Sequence, residues 1–591
     1  MRIVSDRLRR LTHKLETVMP EGSVMRRLFV PFAVIALCAG ALLMGAQNAG
    51  AAVTYVTAQI DGSGSTWAQN AIEQWISDVQ SENLAVVFTG SGSAQGRTDF
   101  RNDTTDFAVS DIGFQGVDPA TNSNDSNCQN IAPLSNCRAY AYLPIVAGGT
   151  AFPYNLTVAG QRVRNLRLSG ETLAKIFTHE ITNWDNSEIT KDNNGFPDLP
   201  GHHLPDLPIH VVLDSQGSGT SYQFSAYLSR EFPQYWNSFN QASGPTEYFP
   251  QKDGAVAEAG SDSIINFIMS SAGNGSIGYD EYSYALENNW PVANVENKAG
   301  YFTAPTQYDV AVALTKAQIN MDKGSSDYLL QDLNNVYANP DPRTYPLSSY
   351  SYMIIPTSPS DPRMGTDATP KAQTLALFID QAVCDGQAQM GPIGYSPLPV
   401  NLAQASFEQM YKLHTANPKV KISQLNIATK CHNPTFWAGH SASANYLAHI
   451  APPTPSCDKA GQGPCSASVA VGATGNPGKN GKAPAPTASA SSSASASSSA
   501  SASSSAAASA SSSASPSPGA GVPGGSTTTA GPGATLAGSN VAAASEGTSY
   551  VGLLAALAAV ELLLLLAVPP IIARRRQQSS IGGRQQWRIG K

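Results

Sequence analysis

Three short loops rich in Gly, Ser and Thr are the residues of this chain best suited to chemistry. Glycine lets the backbone approach a ligand closely, and the free N–H groups and hydroxyls at a helix start form a site for an anion. Each loop occurs where an apolar run gives way to a helical pattern, so together they predict one shared cleft. The loops read Asp61-Gly-Ser-Gly-Ser-Thr66, Gly90-Ser-Gly-Ser93 and Gln216-Gly-Ser-Gly-Thr-Ser221.

The elements that must position these loops alternate between strand-like and helix-like patterns. Such alternation predicts an α/β fold with mostly parallel sheets, and about 400 folded residues predict two lobes. The predicted strands are Leu84–Thr89, Ile209–Leu213 and Tyr352–Ile355, and the predicted helices are Trp67–Val79, Leu168–Phe177, Ser221–Leu228, Ser263–Met269 and Ala372–Ala382.

Both ends of the chain have the patterns of segments that export and anchor a protein. Residues 1–51 are predicted to be a signal peptide with a long n-region, ending in the small-residue cleavage site Ala49-Gly-Ala51. Residues 550–573 form an apolar run long enough to span a bilayer as one helix. The basic residues of the tail, 574–591, place that tail in the cytoplasm and the ectodomain outside the cell.

The composition between these ends changes once more before the membrane segment. Residues 466–549 are rich in Ser, Ala, Pro and Gly, and such a segment is predicted to form a disordered stalk because it cannot bury a core. The chain has 43 acidic and 36 basic residues, and many of the basic ones lie at the two ends. The exported part is therefore strongly acidic, which disfavours nucleic acid as a partner.

The cysteines indicate an oxidising compartment. Six of them remain when the one in the signal peptide is left out, and an even number in an exported chain implies disulfides. Short separations favour the pairs Cys128–Cys137 and Cys457–Cys465, which leaves Cys384–Cys431, although six cysteines allow fifteen pairings. No cysteine or histidine spacing supports a metal site, and no cofactor is predicted.

Five motifs follow one another over roughly residues 57–284. They are Gly62–Trp67 with Trp75, Gly90–Ser93 with Thr105–Asp111, Phe177–Asp185, Gly217–Tyr222 and Gly275–Tyr282. In this order they resemble the phosphate-binding proteins of bacterial phosphate ABC importers, the PstS family, with a weaker match over residues 345–413.

This resemblance implies a fold, a domain division and a partner. The fold would be the two-lobed periplasmic-binding-protein (type II) fold, which closes on its ligand about a hinge. One lobe would combine residues 52–143 and 345–465, and the other would be residues 144–344. A chain of this kind is not an enzyme; it binds phosphate or a related oxyanion and presents it to the permease subunits of an ABC transporter.

The resemblance also implies which residues contact the ligand. Asp111 would accept a proton carried by the ligand, while the other residues would donate hydrogen bonds from hydroxyls and main-chain amides. The implied contacts are Thr66, Trp67, Ser93, Asp111, Ser218, Gly219 and Thr220.

Two neighbouring positions depart from the family. The family has an Arg four residues before the Ser of the third loop and an Asp two residues after that Arg, where this chain has Asp214 and Gln216. Either another cation, such as Arg97 or Arg101, reaches the cleft and is oriented by Asp214, or the ligand is not phosphate. A different small solute, or a surface structural or adhesion protein that reuses the fold, are the alternatives.

Overall fold

A computed structural model describes residues 54–115, 138–465 apart from 198, 253 and 423–425, and 539–542. The predicted signal peptide, membrane helix and basic tail lie outside these residues, as do Cys128 and Cys137. Within the described ranges, no helix is long and apolar enough to cross a membrane.

Strands and helices alternate along most of the described chain. The strands are β1 Thr54–Thr57, β2 Ile60–Gly64, β3 Val86–Gly90, β4 Phe107–Ser110, β5 Tyr140–Ala151, β6 Thr157–Val158, β7 Gln161–Arg162, β8 Arg167–Leu168, β9 His210–Asp214, β10 Val256–Glu258, β11 Ser276–Gly278, β12 Asp280–Glu281, β13 Asn294–Glu296, β14 Phe302–Thr303, β15 Gln318–Ile319, β16 Gln331–Asp332, β17 Ser348–Pro356 and β18 Ser539–Ala542. The α-helices are α1 Gln69–Gln80, α2 Ser93–Arg101, α3 Gly170–Phe177, α4 Ser187–Asp192, α5 Gly219–Glu231, α6 Pro233–Phe239, α7 Gly260–Met269, α8 Tyr282–Glu287, α9 Gln307–Leu314, α10 Asn334–Tyr337, α11 Thr369–Val383, α12 Gln387–Ile393, α13 Val400–Ala416, α14 Ile427–Lys430 and α15 Tyr446–Ile450.

The largest sheet has six strands in the order β12-β5-β17-β4-β2-β3. Strand β2 is parallel to β3 and β4, whereas β17 is antiparallel to β4 and β5, and β12 is antiparallel to β5. The expectation of mostly parallel sheets is thus wrong for this sheet, since three of its five strand pairs are antiparallel. Alternation along the chain constrains only strands joined by a short helical crossover, and β17 enters the sheet far from its partners in sequence.

A second sheet of three strands, in the order β10-β9-β11, is parallel throughout, as predicted. Next to it lies an aromatic cluster with ring centroids 4.9 to 6.3 Å apart. Because Phe224 of α5 belongs to this cluster, the packing holds the helix that follows the third loop. The cluster consists of Phe152, Phe177, Phe224, Phe249 and Tyr279.

The eight elements predicted from the sequence are all present, with ends that differ by a few residues. The largest difference is in β17, which begins at Ser348, four residues before the predicted start at Tyr352. Leu168 ends β8 instead of starting a helix, and α5 begins at Gly219. Two of the three predicted disulfides are confirmed, Cys384–Cys431 and Cys457–Cys465. The third pair lies outside the described residues.

The described residues within 58–80 and 84–465 form one compact unit, and a separate small unit contains β1 and β18. In the small unit these two strands pair antiparallel, Thr54 opposite Ala542. The prediction of a structureless stalk is therefore wrong at Ser539–Ala542. A strand pair is held by main-chain hydrogen bonds, which do not require the large apolar side chains that this segment lacks.

Candidate functional site

The three Gly/Ser/Thr loops meet at one place in the fold. The first two follow neighbouring parallel strands, and Gly64 is paired in register with Gly90. The third loop reaches them from the other sheet, because the Ala94 N–H donates to the carbonyl of Gly217 at 2.9 Å. Parallel strands end at the same sheet edge, so the helix starts after these loops are brought side by side.

Five main-chain N–H groups of these loops have no hydrogen-bond partner in the part of the chain that the structure describes. All five residues are buried, and they lie at or just before the first turns of α1, α2 and α5. Buried N–H groups are nearly always paired, so a group of orphans points to a ligand that accepts hydrogen bonds. These amides belong to Thr66, Trp67, Ser93, Gly219 and Thr220.

Asp111 lies directly after β4 and beside these amides, with only 2% of its surface exposed. Its carboxylate accepts hydrogen bonds from the hydroxyls of Ser65 at 2.8 and 2.9 Å, Ser93 at 3.2 Å and Ser351 at 2.8 Å. Burial raises the pKa of Asp111 to about 6, although the three hydroxyls and the charge of Arg97 oppose the shift. The carboxylate therefore links two of the loops to strand β17.

The third loop comes close to Asp111 at Gly219. A side-chain Cβ at this position would lie 2.6 Å from Asp111 Oδ2 and 2.7 Å from Ser93 Oγ. Since real Cβ atoms do not come so near, only glycine allows the start of α5 to reach this carboxylate.

The start of α5 is also held by hydrogen bonds of its own. Ser218 caps the helix by accepting the N–H of Ser221 at 3.3 Å, and its own N–H donates to the carbonyl of Glu247 at 3.0 Å. The Ser221 hydroxyl is 2.7 Å from the hydroxyl of Tyr279 in the aromatic cluster. The amides of Gly219 and Thr220 are thus positioned by both the cap and the core.

Asp214 does not hold a cation in the described structure. Its Oδ1 accepts the N–H groups of Gln216 at 2.9 Å and Gly260 at 3.2 Å, and the Ser218 hydroxyl also hydrogen-bonds to it. Burial raises the pKa of Asp214 above its ordinary value. The side chain therefore shapes the third loop and the start of α7, and the suggested role of orienting Arg97 or Arg101 does not match these contacts.

Arg97 is fully buried and forms a salt bridge with the buried carboxylate of Glu247. Its guanidinium also donates to the Ser110 hydroxyl at 2.8 Å. The charge is near enough to Asp111 to oppose the rise in its pKa. Arg101 lies in the last turn of α2 and is partly exposed.

The structure brings together all seven residues that the resemblance implied, and it adds four that sequence reasoning missed. Ser65 lies within the first loop, so the loop motif could have predicted it. Ser351, Glu247 and Ser261 come from distant segments without a local signal; Ser261, for example, donates from its N–H to Thr66 Oγ1 at 3.3 Å.

An α/β fold in which three helix starts present unpaired amides around one carboxylate defines a solute-binding protein. The chain belongs to the PBP superfamily, because the model of the PBP superfamily domain matches residues 49–386.

Proteins similar to this chain include several phosphate-binding proteins. Phosphate-binding protein PstS 3 of Mycobacterium tuberculosis is 29% identical over 385 residues, which cover 62% of this chain and 94% of that protein. Phosphate-binding protein PstS of Methanocaldococcus jannaschii is 27% identical over 385 residues, covering 64% of this chain and 91% of that protein. A solved structure of the phosphate-binding protein from Stenotrophomonas maltophilia is 16% identical, covers 64% of this chain and 98% of its own, and has a TM-score of 0.41.

The prediction that the chain is not an enzyme is confirmed by this family. The two relatives named above are phosphate-binding proteins.

Proposed function

We propose that this protein captures phosphate or a closely related oxyanion between two lobes and presents it to the permease subunits of an ABC importer. The observation that carries the proposal is the group of five buried, unpartnered amides. The names of the similar proteins supply the ligand, since PstS 3 and PstS are phosphate-binding proteins.

The amides suit an oxyanion because N–H dipoles at helix starts stabilise negative charge without a full positive charge. Thr66, Trp67 and Ser93 would donate from one side, and Gly219 and Thr220 from the other. Asp111 would accept the proton of a partly protonated ligand. A fully ionised anion such as sulfate has no such proton and would be repelled.

The charges near the site favour a ligand of low negative charge. Asp214 stands where the family has an arginine, and Arg97 is already paired with Glu247. We therefore expect the singly charged form of phosphate to bind more tightly than the doubly charged form. Affinity should rise as the pH falls towards 6 and stop rising below it, where Asp111, with a pKa of about 6, becomes protonated.

The test is isothermal titration with inorganic phosphate, using protein that has been unfolded and refolded to remove carried ligand. Ser93 is the first residue of α2, a position where proline is tolerated, so Ser93→Pro removes the N–H from the site. Ser93→Ala is the matched control, because it removes the same hydroxyl and keeps the N–H. A charge-assisted hydrogen bond contributes about 1.5–3 kcal/mol, so Ser93→Pro should bind about ten- to a hundredfold more weakly than Ser93→Ala.

Equal affinities for the two variants would contradict the role of the amide. If titration of the unaltered protein with phosphate gives no heat signal, phosphate is not its ligand. That result would favour a different solute or a structural surface protein.

Asp214→Asn provides a second comparison. The asparagine oxygen can still accept both N–H groups that Asp214 Oδ1 accepts, but the negative charge is gone. Phosphate should then bind several-fold more tightly, while Asp206→Asn, at an exposed carboxylate, should leave the affinity unchanged. An unchanged or lower affinity for Asp214→Asn would mean that the charge of Asp214 does not weaken phosphate binding.

We further propose that residues 550–573 anchor the protein in the cell membrane with the binding domain outside. The proposal rests on the apolar run and the basic residues that follow it. A chain that ends at residue 549 should be released into the medium; its retention in the membrane fraction would contradict the anchor.

A further inference from the structure

A second cavity, of about 680 Å³, lies next to the amide site. Its walls come from residues 111–115, the second turn of α5, the β15–β16 hairpin and α10. Gln223 and Gln331 line it and donate from their side-chain amides to the Asp111 carbonyl at 3.1 and 3.4 Å. The volume lies within the range of about 300–1,000 Å³ that is usual for small-molecule sites.

The lining of this cavity is rich in groups that both donate and accept hydrogen bonds. Carboxamides such as Gln318, Asn320 and Asn334 stand beside tyrosines and the carboxylates of Asp327 and Asp332. Among the described residues that line the cavity, none is a lysine or an arginine.

Two of the tyrosines are available to a ligand. The hydroxyls of Tyr222 and Tyr337 have no hydrogen-bond partner within the described chain.

These groups distinguish between the possible ligand classes. An anion would meet Asp327 and Asp332 without a compensating cation. A cation would suit those carboxylates but leave the side-chain N–H donors of Gln318 and Asn334 without acceptors. A hydroxyl group donates and accepts at once, so a ligand with many hydroxyls can satisfy carboxamides, carboxylates and tyrosines together.

We propose that this cavity is a second binding site, for an uncharged polyhydroxylated solute such as a mono- or disaccharide. Asp111 is the one residue that this cavity shares with the oxyanion site, and the rest of its lining is different. The proposal does not depend on the function proposed above.

The experiment is ligand-observed NMR together with isothermal titration on the full-length protein. The probes are glucose, N-acetylglucosamine, maltose and trehalose, with spermidine as a cationic control. Ala226 lines the cavity from α5, so Ala226→Leu should fill part of it and weaken binding at least tenfold. Ser229→Leu, on the same helix but outside the lining, is the matched control and should bind normally.

Gln318→Ala provides a second variant in case Ala226→Leu does not fold. This side chain is exposed at the rim, so the change should weaken binding several-fold without a loss of stability. Saturating phosphate should leave saccharide binding unchanged.

Three results would overturn the proposal. The first is that none of the four saccharides binds with a Kd of about 10 mM or tighter. The second is that spermidine binds and the saccharides do not. The third is that phosphate competes with the saccharide, because the cavity and the oxyanion site would then be one site.

Discussion

At the scale of single residues, Asp111 combines a structural role with a proposed binding role. Its carboxylate accepts three serine hydroxyls from different parts of the chain while lying beside the unpaired amides. Complete burial makes the ionised form costly, and the hydroxyls offset only part of that cost. The same residue therefore makes stability depend on pH.

We expect the protonation of Asp111 to stabilise the fold. Its pKa is about 6 in the folded protein and 3.8 ordinarily, so the folded state holds the proton more tightly. This contribution is fully present below pH 3.8 and is lost as the pH rises through 6. At about 1.4 kcal/mol per pKa unit the difference is about 3 kcal/mol.

Chemical unfolding at several pH values measures this effect. Asp111→Asn removes the titrating group. As the pH falls from about 8 to about 4, the free energy of unfolding of the original protein should therefore rise by about 3 kcal/mol relative to that of the variant. Parallel pH curves for the two proteins would show that Asp111 does not titrate as expected.

At the scale of secondary-structure elements, the approach of α5 to α2 depends on Gly219. Asp111 and Ser93 hold each other by hydrogen bonds, so neither can move easily to accept a methyl group. We expect Gly219→Ala to lower the free energy of unfolding by about 1–3 kcal/mol and to abolish phosphate binding.

Gly324→Ala is the control for this substitution. Gly324 is exposed, and the nearest atom to an added Cβ is Asp322 Oδ1 at 3.3 Å. Its unfolding free energy should stay within about 0.5 kcal/mol of the original value. Equal effects of the two substitutions in thermal and chemical unfolding would mean that the close approach at Gly219 does not constrain α5.

At the scale of the whole molecule, the buried pair of Arg97 and Glu247 joins distant segments around the site. Arg97 extends from α2, whereas Glu247 lies in the segment whose carbonyl holds the cap residue Ser218. The pair thus connects the second loop to the third. The side chains of Arg97 and Glu247 are only 0% and 5% exposed, so each buried charge needs the other as its partner.

We expect Glu247→Ala to lower the free energy of unfolding by about 3–5 kcal/mol, because the guanidinium loses its buried acidic partner. The double variant Arg97→Met, Glu247→Leu should lose much less than the sum of the two single changes.

The exposed pair Lys323–Glu408, whose side chains are 71% and 53% exposed, serves as the comparison. Lys323→Met should change stability by less than about 1 kcal/mol. Additive effects of the Arg97 and Glu247 changes would show that the two residues do not stabilise the fold as a pair.

Local sequence was sufficient for the elements and for most of the proposed site. Glycine and hydroxyl residues between an apolar run and a helical pattern identified all three loops, because turn chemistry and helix starts depend on neighbouring residues. The order of five motifs indicated a phosphate-binding protein, and the chain belongs to the PBP superfamily. The short separation of two cysteines predicted Cys457–Cys465, and Cys384–Cys431 was the pair that remained; the structure contains both.

Only the tertiary structure decided what lies opposite each of these residues. Ser351 reaches Asp111 across 240 positions, Glu247 pairs with Arg97 across 150, and the antiparallel direction of β17 depends on partners equally remote. The tertiary structure likewise places the buried Asp214 where its carboxylate accepts main-chain N–H groups instead of contacting a cation. Sequence patterns report local preference, whereas these contacts arise from which surfaces pack together once the chain has folded.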